Sequence, residues 1–258
     1  MQVGSKRVHW YYWLPTMRGK SLWETGFWKS MWLREAVAVF LKECRTEWRT
    51  RVALSGVGLF LLGGLVLIGL AFQGRKVDID AASALLWVLL LFTAATGLGR
   101  GFVQETERGT ALALRLHARA SAVWVGKFAF NATLLLALAA MAAPLLLGAL
   151  AVDTSKANYA ALACVLGLGS IGVAAVFTTT SALVAQSSSR GGALLAALSF
   201  PVLVPALFTG VGGTKAALGV SLTVSAWEAA SGYVTLLGSY GAIAIAISLL
   251  LFDYVWND

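Results

Sequence analysis

The chain is short of charge, histidine, cysteine and proline. Only 12% of its 258 residues are Asp, Glu, Lys or Arg, against 59% hydrophobic, a membrane-protein composition. The charge it does carry is kept out of six apolar runs, at residues 52–72, 81–99, 128–152, 159–186, 191–212 and 233–252. Ion-coupled pumps and secondary transporters usually place ionisable groups at mid-membrane, and these runs offer none. The two histidines, His9 and His117, lie outside all six. A di-haem electron carrier needs histidine pairs within its spans, and an intramembrane serine protease of this span number needs a buried His beside its Ser, so neither fits. Cys44 and Cys164 stand far apart, with no disulfide framework and no zinc spacing. No Walker A sequence occurs, so the chain does not cradle a nucleotide itself. No pattern of nucleic-acid recognition accompanies its net charge of +8; that charge suits a protein facing anionic lipid.

Each apolar run is long enough to cross a hydrocarbon core, which takes about 20 helical residues. The expected fold is therefore an all-α polytopic membrane domain of six transmembrane helices, over residues 35–258. Residues 1–34 form a basic, Trp-rich extension with no signal-peptide core, and Met31 offers a second candidate start. Residues 35–51 read as an amphipathic helix: Val37, Phe40, Leu41, Cys44 and Trp48 share one side, and Lys42, Glu43, Arg45, Glu47 and Arg49 take the other. It is too charged to span and suits the headgroup plane. With the N-terminus inside, 16 Lys and Arg fall on the cytoplasmic side and 4 outside, so both termini are expected to be cytoplasmic.

The longest polar interruption after the first span is residues 100–127, with five Lys or Arg against Glu105 and Glu107. It reads as a cytoplasmic loop between spans two and three. Gly109 breaks it, and Thr110 can cap a short helix on which Arg115 and Arg119, four apart, share a face. In the fifth span Pro201 and Pro205 remove backbone donors, which predicts a kink or a broken helix. Residues 167–172, Gly-Leu-Gly-Ser-Ile-Gly, spell a dinucleotide fingerprint, but inside an apolar span with no strand before it they read as a close-packing surface. The third outer loop, residues 213–232, holds Trp227 and Glu228 and is compatible with a short re-entrant or interfacial helix. A permease driven by a partner ATPase survives these exclusions, and so does a membrane scaffold that transports nothing.

Three stretches carry a resemblance. Lys42 to Arg51, KECRTEWRTR, is a basic amphipathic lead-in to the first span. Glu105 to Phe128 holds ETERGTALALRL followed by VWVGKF. Ser187 to Phe208, SSSRGGALLAALSFPVLVPALF, pairs an Arg-Gly-Gly start with a double-proline span. Together they resemble haem exporter protein B (CcmB), the permease subunit of cytochrome c maturation, in the type-2 ABC permease class. The likeness departs in the loop, where Leu112 or Ala113 stands in place of a Glu, and Ala118 and Ala120 where a Pro is usual.

The resemblance implies a multi-pass subunit of a bacterial-type inner membrane, without an ATPase site of its own and binding no cofactor directly. ATP would be held by a separate cytoplasmic ATPase subunit. That partner would dock on Glu105, Glu107, Arg108, Gly109, Thr110, Arg115 and Arg119 of the loop and on Lys42 and Arg45 of the amphipathic helix. Arg190, Gly191, Gly192, Pro201 and Pro205 would form the movable fifth span. It further implies other maturation subunits, a haem chaperone and two permease copies, with haem as cargo or as the load of a chaperone to be released. An exporter of a lipid, glycan or drug is the alternative within the class. Charge sorting alone makes one firm prediction: a cysteine placed at His117 stays unlabelled when intact cells meet a membrane-impermeant maleimide, and labels once the membrane is opened.

Overall fold

A computed structural model describes residues 25–98, 101–107, 109–186, 191–219 and 224–257. Among these residues all regular structure is helical. Helix α1 spans Thr25–Thr50, α2 Val52–Phe72, α3 Ile79–Gly97, α4 Gly101–Glu107, α5 Ala111–His117, α6 Ala120–Ala149, α7 Tyr159–Gln186, α8 Gly191–Ala217 and α9 Ala226–Asn257. Six helices are long and apolar enough to cross a membrane: α2, α3 and α6 to α9. The chain therefore passes up and down six times. α1, α4, α5 and the end of α9 gather at one end of the bundle, and the connections 73–78 and 151–158, with the end of α8, gather at the other.

Several boundaries move from those expected. α1 begins ten residues early, so Trp28 and Trp32 belong to it. The Trp32 indole donates to Ser121 Oγ at 3.0 Å, tying α1 to α6. α6 begins at Ala120 rather than 128, which carries Lys127 two turns inside a spanning helix. α8 runs on to Ala217 and α9 starts at Ala226. Trp227 and Glu228 therefore lie in the first turn of α9, and no separate re-entrant helix forms among the described residues. α8 also passes through Pro201 and Pro205 without a break.

α1 and α2 join at Arg51, which adopts the left-handed conformation, φ 54°. Glu47 is buried, and its carboxylate accepts from the Leu54 backbone N–H at 3.3 Å, placing an anion over the free donors of α2. The amphipathic helix thus lies reversed from the usual surface pattern. Its apolar residues Leu33, Val37, Leu41 and Trp48 are exposed, Trp48 at 77%, while Ala36, Val39 and Glu47 face the bundle. Exposed apolar residues on a helix leading directly into a span fit a headgroup boundary.

α7 is the spine. Two thirds of its spanning stretch (67%) is buried, against 17% for α2 and for α9. Its glycines explain how neighbours reach it. A Cβ on Gly169 would stand 2.1 Å from the Trp87 ring of α3, and one on Gly172 3.0 Å from Tyr240 of α9. Gly-Leu-Gly-Ser-Ile-Gly is thus a packing surface in fact. Hydrogen bonds between spans add direction: Trp124 to Thr179 at 3.0 Å, Asn131 to Thr178 at 2.9 Å, and Thr180 with Ser199 at 2.8 Å. Such bonds replace hydrophobic association, which lipid does not supply.

Gly169→Val should lower the thermal midpoint of the detergent-solubilised protein, because overpacking costs about 1–3 kcal/mol. Gly63→Ala, with nothing within 4 Å of the added carbon, should leave it unchanged or raise it slightly. Equal midpoints for the two variants would contradict the packing.

Candidate docking and coupling site

Within the 100–127 stretch, α4 and α5 are two short helices, and residues 120–127 already belong to α6. Gly109 takes φ 68° between α4 and α5, a conformation a side chain would disfavour. Thr110 does not cap α5 through its side chain. Its hydroxyl turns back to Glu105 Oε2, and its backbone N–H donates to the Glu105 carbonyl at 3.0 Å. The helix after it ends at His117, and Ala118 and Arg119 are extended. Arg115 and Arg119 therefore do not share one helix face, as their spacing suggested. The chain must straighten there to enter α6.

Beneath this joint lies a compact ion network. Lys127 of α6 places its Nζ 2.6 Å from Glu43 Oε1 of α1, 3.3 Å from Glu105 Oε1 of α4 and 3.1 Å from the Gly101 carbonyl. Lys42 pairs with the same Glu105 oxygen and lies 3.3 Å from Glu43. The Lys127 side chain is only 3% exposed and that of Glu105 9%. Two cations and two anions make the cluster neutral, which is what permits burial; a lone ammonium there would cost several kcal/mol. Burial by itself raises the Glu105 pKa. The charge of Lys127, with bonds and charge from Lys42 and a bond from Thr110, outweighs it and brings the carboxyl down to about 2. α1, α4 and α6 are thereby fastened at one point.

An aromatic clamp ties α4 to the end of α9. Phe102 of α4 lies 5.4 Å from Phe252 and 5.9 Å, edge-on, from Trp256, both near the end of α9. Phe252 and Trp256 stack at 5.3 Å. The Arg115 guanidinium of α5 sits 5.2 Å from the Trp256 ring centre, and Lys127 Nζ 5.0 Å from that of Phe102, both within cation–π range.

The proposed docking residues thus separate. Lys42 and Glu105 are drawn into the network, with Thr110 fixing Glu105. Arg115 joins the clamp. Arg119 is exposed, and its backbone N–H donates to Glu35 Oε2 at 3.2 Å. Arg45 is exposed on α1 and takes no place in the network. Glu107 closes α4, and its side chain lies outside the described set, as do Arg108 and Arg190. Gly191 and Gly192 open α8, remote in sequence from the joint. Between Pro201 and Pro205 lies a different link: Tyr240 of α9 donates to the Val202 carbonyl at 2.8 Å. Glu43, Lys127, Phe102, Phe252 and Trp256 were missed from sequence. The available signals were a Lys at the margin of an apolar run and aromatics persisting to the C-terminus. Among the described residues no three His, Cys, Asp or Glu side chains gather as a metal-ligand set.

The CcmB protein family profile matches residues 34–252. The chain belongs to that family. As a CcmB-family member it is a permease subunit of the cytochrome c maturation haem exporter, an ABC system, and it partners the system's ATPase and other maturation components. Its six apolar helices agree with a multi-pass membrane subunit. No curated protein matches the chain.

The network has a sign that can be checked. The folded pKa of Glu105 lies below its ordinary value of 4.5. Its contribution is therefore complete above about pH 4.5 and is lost as pH falls toward about 2. Glu105→Gln should be less stable than the parent at neutral pH, and the gap between their thermal midpoints should shrink on acidification through that window. A gap that stays constant down to pH 3 would show that Glu105 is not held as an anion.

Proposed function

We propose that the end of the bundle carrying α4 and α5 receives the ATPase subunit and passes its motion to the spans. The single observation that carries this is the ion network of Lys42, Glu43, Glu105 and Lys127. It joins the short helix pair α4 and α5 to α1 and α6, and its Lys127 and Glu105 side chains are too buried to exchange partners cheaply. The aromatic clamp extends the link to α9. Movement of α5 must then displace α6 and α9 or break charged contacts in a poorly solvated place, which costs several kcal/mol. ATP binding and hydrolysis in the partner supply energy on that scale. The fifth span, α8, follows α9 through Tyr240 and Val202, at the turn where two prolines weaken the helix ladder.

On this reading both termini and the docking end are cytoplasmic and the membrane is the inner one, as the excess of Lys and Arg supports. The ATPase contact uses the exposed surface beside the network: Leu116, 75% exposed, with the Arg45 side chain on α1 and Arg119 at the entry to α6, both exposed. Two copies of the permease surround the route. Haem, or haem released with its chaperone, is what the far face delivers. ATP stays on the partner, in keeping with a sequence that spells no Walker A motif.

The two roles come apart in one experiment. Leu116→Asp should remove the ATPase from a pull-down of the membrane complex and abolish haem-stained c-type cytochromes. Lys127→Met should leave the ATPase bound yet lower haem-stained cytochrome at least tenfold. Normal cytochrome maturation in Lys127→Met, at normal amounts of the protein in the membrane, would end the coupling role.

A further inference from the structure

At the opposite end of the bundle, α3, α8 and α9 leave a laterally open groove of about 520 Å³. Its lining is apolar except at one end: Trp87 and Leu91 from α3, Phe208 and Val211 from α8, and Tyr233 from α9, with Lys215 at the mouth. The floor is rigid. Trp87 is buried, and its indole donates to Thr214 Oγ1 at 2.9 Å. Gly210 lets α8 close on the Trp87 ring, and Gly212 lets it close on that of Tyr233. Phe208 stands out from the wall at 84% exposure.

Length and charge say what fits. From Ala84 to Leu91 on α3 and from Val204 to Lys215 on α8 the groove runs about 10–16 Å, at 1.5 Å per helical residue. That is about one leaflet of a hydrocarbon core roughly 30 Å thick. At the rim, Lys215 in the last turn of α8 meets Asp80 in the first turn of α3, Nζ to Oδ1 at 2.9 Å. Both side chains are accessible, 34% and 60%, so the pair is weak and opens at little cost. Asp80 stands one turn from Ala84, on the face of α3 that lines the groove.

We propose that this groove seats an acyl chain of a zwitterionic, amine-bearing phospholipid from the leaflet at that end. Its phosphate pairs with Lys215 and its ammonium with Asp80. The Lys–Asp pair mirrors the phosphate–ammonium dipole of such a headgroup, and an anionic headgroup would meet the Asp80 carboxylate unfavourably. The apolar groove alone would take any acyl chain; the acid beside the lysine makes the choice.

The test uses the full chain with its partner subunits in liposomes containing trace phosphatidylethanolamine or phosphatidylglycerol, each with a diazirine near the middle of one acyl chain. Illumination should label peptides around Leu91 and Val211 at least fivefold more with the ethanolamine probe. Val211→Trp, which fills the groove, should remove that labelling. Asp80→Asn, at an exposed first-turn position, should bring the two probes to parity. Equal labelling of the parent by both probes would mean ordinary annular lipid. Stronger glycerol-probe labelling would mean an anion site at Lys215. Either result overturns the proposal, as does unchanged selectivity in Asp80→Asn. That last variant decides alone if Val211→Trp does not reconstitute.

Discussion

A lysine ammonium two turns inside a spanning helix cannot be left bare, and much of the docking end follows from satisfying Lys127. Its charge calls for Glu43 and Glu105, and these draw α1 and α4 against α6. Gly126, the neighbour of Lys127, has no side chain, and a Cβ there would stand 2.6 Å from the Ala36 carbonyl of α1. The close approach that brings Glu43 within reach is therefore available only to glycine. Lys42 then completes neutrality, and Thr110 sets the carboxylate of Glu105. A neutral, saturated cluster of this kind adds little net stability over an apolar one, but it tolerates few arrangements. It is suited to defining geometry.

The two ends of the bundle are built on different physics. At the end that holds α4 and α5, charges and aromatic rings converge from five helices, and removing one leaves others unpaired. At the far end, short connections are held by backbone bonds, Val77 to Leu150 and Asn158 to Ala217, and the exposed Asp80–Lys215 pair is easily opened. Between them α7 supplies a spine whose glycines admit Trp87 and Tyr240 and whose threonines hydrogen-bond to α6 and α8. The bundle is thus tightly tied at the end that holds α4 and α5 and more loosely tied at the other. On the function proposed above, that asymmetry has a use: the tightly tied end would receive the ATPase and the looser end would face the haem-handling side.

The apolar runs were legible because lipid enforces them: an uncharged stretch of some 20 residues has few other places to go. Helix ends were less legible, since they depend on partners elsewhere. Residue 128 looked like the start of the third span because Lys127 is charged. It lies inside the helix because Glu43, 84 residues earlier, neutralises it. The double proline suggested a kink or a broken helix, and α8 runs through it unbroken. Arg115 and Arg119 had the spacing of one face, but the straightened chain at Ala118 parts them.

Composition and periodicity by themselves determined the six spans, the amphipathic lead-in and the charged connection between the second and third, because those features rest on the cost of placing single residues in water or lipid. Tertiary structure alone decided which side of α1 faces the protein, which acids meet Lys127, and that Phe252 and Trp256 meet Phe102 of α4, with Arg115 of α5 over Trp256. Each of these is a contact between residues distant in sequence, whose energy exists only once the helices are already side by side.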